Sequence, residues 1–250
     1  MSTALATIEA RKDYIALQDG GQIMEAMAAN MGEGASLRES DLTRVAIPTG
    51  GSTTWLVPNI LGDEAAKSIE GILVYLCVRG IVWPKAEAED GSLPLLVSHD
   101  LKTARLVADN ATPEFLASIA EAKIGDRQYD WERLPQCQWG SGKDGVGKAA
   151  KEQRVLYVLR RDEPLPVVVT VQPGSLKNWQ QFIIAMTKVG IPYYRAVVSL
   201  SLEKAQSTNG SPFARVVPTL VGTLSREEGG IIREKFSEPM RLVAASAFGA

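Results

Sequence analysis

Hydrophobic and polar positions alternate along this chain in several distinct rhythms. Over residues 3–30, Leu5, Ile8, Ile15, Ile23, Met24 and Met27 sit among good helix formers, with a break at Asp19-Gly20-Gly21, which predicts a helical appendage over 1–40. Residues 31–54 are rich in Gly, Ser and Thr, and Pro48-Thr49-Gly50-Gly51-Ser52 predicts a loop before Trp55. A short helix is expected over 63–70. The apolar run at 72–83, bent at Gly80 and stopped by Pro84, has the length and the Ile, Val, Tyr and Trp content of a strand. The acidic stretch 85–92 reads as loop, and 101–123 as helical pieces split between Asn110 and Pro113.

The second half is more regular. RVLYVLR (154–160) and LPVVVTV (165–171) are two apolar runs joined by Arg161-Asp162-Glu163-Pro164, a β-hairpin signal. Ser175 is placed to cap a helix over 176–189, with Leu176, Trp179, Phe182, Ile183 and Met186 on one stripe and Gly190 as its stop. Residues 193–203 alternate as a strand does, a loop at 204–212 contains Asn209-Gly210, and 213–224 reads as the returning strand. Ser225 and Glu228 then fit a capping box that opens a short helix.

The resulting order is strand, long insertion, strand, strand, helix, strand, strand. An α+β, mainly β fold follows. Five strands with a helix between the third and fourth match an OB-like five-stranded barrel, with an insertion at about 84–153 after strand 1. On this reading 41–236 form a single domain and 237–250 a flexible tail. A generic α+β sheet with the same order is the alternative.

Composition narrows the class. The 250 residues are 45% hydrophobic with one His and two Cys, which excludes disorder, collagen-like repeats and disulfide scaffolds. The longest apolar stretch, GILVYLCV, falls far short of the ~20 residues that span a bilayer. MSTALATIEARKDY lacks a signal peptide's apolar region, so a soluble cytoplasmic protein with no membrane partner is expected.

The net charge of −2 hides an asymmetry. Residues 1–139 hold 12 Lys/Arg and 20 Asp/Glu, a balance of −8, whereas 140–250 hold 15 and 9, a balance of +6. Lys143, Lys148, Lys151, Arg154, Arg160 and Arg161 crowd into 22 residues against only Asp144 and Glu152. Such a cluster is the footprint expected of a polyanion site, or else of a solvated charged face.

WGSGKDGVGKAAK (139–151) is the most conspicuous segment. Gly142 and Gly147-Lys148 have Walker A spacing, but Ala149 stands where the magnesium-binding Ser or Thr belongs. Gly140, Gly142 and Gly145 match GxGxxG, yet the polar ERLPQCQ occupies the place of the strand that motif needs. Both Lys143 and Asp144 suggest a solvated, mobile loop that approaches a phosphodiester backbone through amides and ammonium groups. Trp131 and Trp139 flank it, and Tyr157, Tyr193, Arg195 and Arg215 lie on later strands. Stacking aromatics beside cations are what single-strand binding demands. No catalytic constellation stands out. His99 is the sole histidine, Cys77 reads as a small buried hydrophobe, and Cys137 has no CxxC partner, so neither cofactor nor metal is expected.

The stretches QWGSGKDGVGKAAK (138–151), LPVVVTVQPGSLKNWQQFI (165–183), YYRAVVSLSLEKAQSTNGSPFARVVPTLVGTLSREE (193–228) and IPTGGSTTWLVP (47–58) resemble a group of phage and mobile-element proteins associated with single-stranded-DNA binding. The resemblance covers about 45–230 and implies replication or recombination partners in a host cytoplasm. It also implies a small zinc knuckle of cysteines around the WGSGKDG segment, where this chain has Trp131, Leu134 and Ala150, so that packing must hold the loop instead. The resemblance implies an acidic tail that recruits replication partners, where this sequence reads RLVAASAFGA.

The expectation is a non-enzymatic protein binding single-stranded DNA, with RNA an open alternative. Lys143, Lys148, Lys151, Arg154, Arg160, Arg195 and Arg215 would track the backbone, and Trp131, Trp139, Tyr157 and Tyr193 would stack. A competing expectation is a structural phage or mobile-element protein whose oppositely charged halves drive homo-oligomer assembly. An enzyme that binds a nucleotide through the Gly-rich loop is a third.

Overall fold

The computed structural model describes residues 10–18, 29–30, 36–59, 62–84, 93–109, 111–207 and 210–248. The fold is α+β and mainly sheet. Its strands are β1 (Arg44–Val45), β2 (Trp55–Val57), β3 (Glu64–Ala66), β4 (Ser68–Val82), β5 (Leu96–Ser98) and β6 (Thr103–Leu106). They continue as β7 (Lys123–Gly125), β8 (Gln128–Asp130), β9 (Lys151–Leu159), β10 (Val167–Val171), β11 (Ala196–Gln206) and β12 (Pro212–Thr223). Two compact units share the chain: Met1–Leu76 with Val155–Ala244, and Cys77–Arg154 with Ala245–Ala250. No helix among the described residues is long and apolar enough to cross a membrane.

In the first unit the strand order is β1-β10-β9-β4, with β11 on the other side of β4 and β12 beyond it. β1 joins β10 in parallel (Arg44↔Val168), while β11 is antiparallel to β4 (Val197↔Ile72) and to β12 (Leu200↔Pro218). Val155–Leu159 is buried on both faces, as an unbroken apolar run requires. Leu156, Val158, Val169, Trp179, Val198 and Leu200 belong to one core, into which Trp55 donates its indole N–H to the Leu200 carbonyl at 2.8 Å. On β9, Tyr157 is fully buried and donates to Glu39 Oε2 at 2.6 Å. Among the described residues β12 pairs only with β11, so no closed barrel forms.

The helix Leu176–Lys188 turns Trp179 and Met186 inward, as its stripe predicts. Ser175 makes no side-chain cap, however. Its Oγ accepts from the Val216 amide at 2.9 Å, so the hydroxyl ties the helix start to β12. The capping box of Ser225 and Glu228 forms as expected. The segment expected as a flexible tail holds the helix Glu238–Ala245, with Met240, Val243 and Ala244 buried. The helix expected over 63–70 is β3 and the start of β4: its residues pair with β2 and β11, and tertiary pairing overrides the local helix signal. Of the N-terminal helical stretch, Ala10–Asp13 and Ile15–Gln18 are helical; most of the remainder lies outside the described residues. Tyr14 between them is fully buried, and the Ile15 amide donates to the Arg161 carbonyl at 3.1 Å, so this stretch packs into the unit. The acidic loop 85–92 and Asn209 also lie outside the described residues.

The second unit is an antiparallel meander of the end of β4 with β5, β6, β8 and β7, registered through Gly80↔Ser98, Leu96↔Leu106 and Ala104↔Tyr129. The described residues of 101–123 contribute β6 and one α-helix, Pro113–Ser118, capped by Thr112 Oγ1 accepting from Phe115 N. Trp131 lies so close over Gly80 that a Cβ there would come within 2.4 Å of the indole. Any larger residue at 80 would displace the ring from its core.

Candidate functional site

The Gly-rich segment leaves a short 3₁₀ turn, Pro135–Cys137, and runs to the start of β9 at Lys151. It is closed on itself. The Gly147 carbonyl accepts from the amides of Gly140 (2.7 Å) and Gly142 (3.2 Å), and a further 3₁₀ turn, Lys143–Gly145, forms its outer end. Ser141 Oγ lies 2.8 and 2.7 Å from the carbonyl oxygens of Gln136 and Gln138, one of which takes its proton, and it accepts from the Ala149 amide at 3.0 Å. The Ala150 amide donates to Gln136 at 2.9 Å. A Cβ on Gly142 would stand 2.1 Å from the Val146 carbonyl oxygen, so only glycine allows this closure.

These bonds correct one expectation. The amides of Gly140, Gly142, Gly145, Val146, Ala149 and Ala150 are donated within the loop. They form no phosphate cradle, and the segment is a folded platform held by its own hydrogen bonds. Trp131, Leu134, Cys137 and Ala150 support it from beneath as members of one apolar cluster. Packing thus occupies the places at which the resemblance implies zinc ligands. Burial pushes the Cys137 thiol up to about 12, with the nearby Lys148 offsetting part of the effect. It is a neutral apolar wall at physiological pH.

The platform displays Trp139, whose side chain is 82% exposed, beside Val146 at 61% and the exposed Lys143. Behind them, Lys148 Nζ is 3.1 Å from Glu152 Oε1 and is largely neutralised by it. Lys151 Nζ donates to the Lys148 carbonyl at 3.1 Å, and Arg154 to the Gln153 carbonyl at 3.0 Å. A carbonyl is a neutral partner, so neither cation is offset by the group it bonds.

The remaining predicted residues fare differently. Trp131, 3% exposed, and Tyr157, fully buried, present no face to a base, which corrects their assignment as stacking residues. Their apolar bodies won burial in the cores, a competition that chain position alone does not reveal. Arg160, Arg195, Arg215, Tyr157 and Tyr193 belong to the first unit, whereas the other six belong to the second. Arg160 pairs with Glu64 at 2.8 Å and Asp162 at 3.6 Å, and Arg215 with Glu203 at 2.7 Å. Arg195 donates to the Leu224 carbonyl at 2.9 Å, and Tyr193 packs edge-on to Tyr194 and against the core.

The second unit also contains a feature that sequence reasoning missed. A cavity of about 400 Å³ is lined by Leu101, Trp131, Glu132, Cys137, Gln138, Lys148 and Glu152. Both ends of the Gly-rich segment thereby border it. Leu101 at its rim holds a left-handed backbone (φ 58°), fixed by Ser98 Oγ accepting from its amide at 2.9 Å. No local motif announces such a cavity, since its lining runs from Leu101 to Glu152. Among the described residues no group of three or more His, Cys, Asp or Glu is placed to hold a metal. Compared with protein-family models, curated proteins and solved structures, the chain matches none.

Proposed function

We propose that this chain is a non-enzymatic single-stranded nucleic-acid-binding protein, acting on DNA of a phage or mobile element. The observation that carries the reading is Trp139: a large aromatic, 82% exposed, on a loop tied down by its own hydrogen bonds. Exposing an indole forgoes roughly 1.5–3 kcal/mol of burial, and a rigid platform presents it with little ordering cost on stacking. Lys151 and Arg154, whose hydrogen bonds among the described residues are to neutral carbonyls, and the exposed Lys143 supply backbone attraction without sequence readout.

The strand order supports the same reading. Counting β4, β9, β10, β11 and β12 as first to fifth, the spatial order is 3-2-1-4-5, with the helix between third and fourth tied to the fifth through Ser175. That is the order of an OB-like barrel left open between its third and fifth strands. The Gly-rich loop falls in the insertion between first and second, a connection that OB-type proteins use for oligonucleotides. A protein of this kind works in the host cytoplasm beside replication or recombination proteins.

Titration with oligo-dT tests the reading. Tryptophan emission should be quenched, and affinity should fall steeply between 50 and 200 mM salt as counterions are released. Unchanged emission together with no retention on single-stranded DNA at low salt would refute it.

A further inference from the structure

Resting on that reading, we infer that the cavity at the stem of the Gly-rich loop is a pocket for a single nucleobase bearing an exocyclic amino group, and that it disfavours thymine. The cavity volume of about 400 Å³ lies at the small end of the range for ligand pockets, suited to one flat ring system rather than a polymer. Leu101 and the neutral Cys137 thiol, with the small part of Trp131 that is not buried, supply the apolar part of its lining.

Its polar groups set the chemistry. Glu132 and Glu152 bring two carboxylates against the one ammonium of Lys148, so the lining carries net negative charge and repels a free phosphate or nucleotide anion. Lys148 is already paired with Glu152, and Gln138 donates its amide N–H to the Glu132 carbonyl at 3.0 Å. The Glu132 carboxylate makes no hydrogen bond or ion pair among the described residues. Being exposed, it is held by solvent alone and can exchange water for a donor on a ligand. Cytosine, adenine and guanine offer an amino group that a carboxylate accepts, as Glu and Asp do with cytosine N4. Thymine turns two carbonyl oxygens toward the acids and offers only one N–H between them. Gln138 directly precedes Trp139, so the pocket adjoins the stacking platform in the chain: one base would stack on the indole while a neighbour enters the cavity.

The experiment compares an all-thymidine strand with the same strand carrying one central deoxycytidine, deoxyadenosine or deoxyguanosine, using the full chain at fixed salt. The expected result is about tenfold tighter binding of at least one substituted strand, the scale of one good base contact. Glu132→Ala, a change at an exposed side chain, should collapse that preference while the all-thymidine strand still binds. Equal affinities for all four strands in the unaltered protein overturn the pocket and leave the platform standing. A preference that survives Glu132→Ala also overturns it. Failure of every strand to bind at low salt overturns the nucleic-acid reading and the pocket together.

Discussion

In the first unit Arg160 and Arg215 each lie against a carboxylate, and Tyr157 and Trp179 are buried. In the second, the hydrogen bonds of Lys151 and Arg154 among the described residues go to carbonyl oxygens, and Trp139 stands in water. The same residue types therefore have different consequences. A half-exposed ion pair is worth only about 0–1 kcal/mol, so Arg215 could leave Glu203 cheaply, but the carboxylate left behind would still repel a phosphate. A cation bonded to a neutral carbonyl leaves no carboxylate of its own pair behind when it turns to a phosphate. Local net charge around each cation, rather than the number of cations in a stretch, decides where a polyanion is attracted.

The largest effect that tests this contrast is on stability. Trp131→Ala should cost about 3–5 kcal/mol in denaturant unfolding by emptying the core under the loop, whereas Trp139→Ala should leave stability within about 0.5 kcal/mol. Equal losses would mean that Trp139 is a packing residue after all. Next, Trp139→Ala should weaken single-strand binding by about 1–3 kcal/mol, the value of one stacked base. Smaller again, Arg154→Ala or Lys151→Ala should each lower the salt slope by about 0.7, and Lys148→Ala or Arg215→Ala by clearly less. If Arg215→Ala lowered the slope as much as Arg154→Ala, the distinction between paired and carbonyl-bonded cations would fail.

A pH prediction probes the first unit alone. Burial is the main cause that pushes the Tyr14 phenol from 10 up to about 12, opposed by Arg161 and aided by Glu70 and Asp13. The folded state thus holds its proton more tightly than the unfolded chain. Stability from this group is complete below pH 10 and is lost as pH rises from 10 toward 12. Tyr14→Phe should flatten the alkaline limb of a stability-pH profile. At neutral pH it should be neutral or mildly stabilising, because the buried hydroxyl has no hydrogen-bond partner among the described residues. A steeper alkaline loss in the variant would contradict this.

Much of the sheet was legible because its strands are either unbroken apolar runs (β4, β9, β10) or clean alternations (β11), and because Ser225 and Glu228 follow a local rule. What was not legible depends on partners distant in the chain. Ser175 has the look of a cap, yet serves the Val216 amide some forty residues on. Residues 63–70 read as helix because their β2 and β11 partners are invisible locally. At the site, the exposure of Trp139 and the cluster of cations are legible in the sequence, but the pairing of Lys148 with Glu152 is not, because i, i+4 residues face each other on a helix and this pair runs from the loop into β9. The cavity had no sequence signal at all.

The most direct measurement is a fluorescence titration of the unaltered protein and Trp139→Ala with single-stranded oligo-dT at 50 and 200 mM salt. Of the five tryptophans, Trp55, Trp131 and Trp179 are buried and Trp83 is half-buried, so Trp139 is the indole most accessible to a bound strand, and the Trp139→Ala variant separates its emission from that of Trp83. The account predicts salt-sensitive quenching in the unaltered protein, and loss of most of that quenching, with weaker binding, in the variant. Quenching and affinity that are the same in both proteins would contradict it.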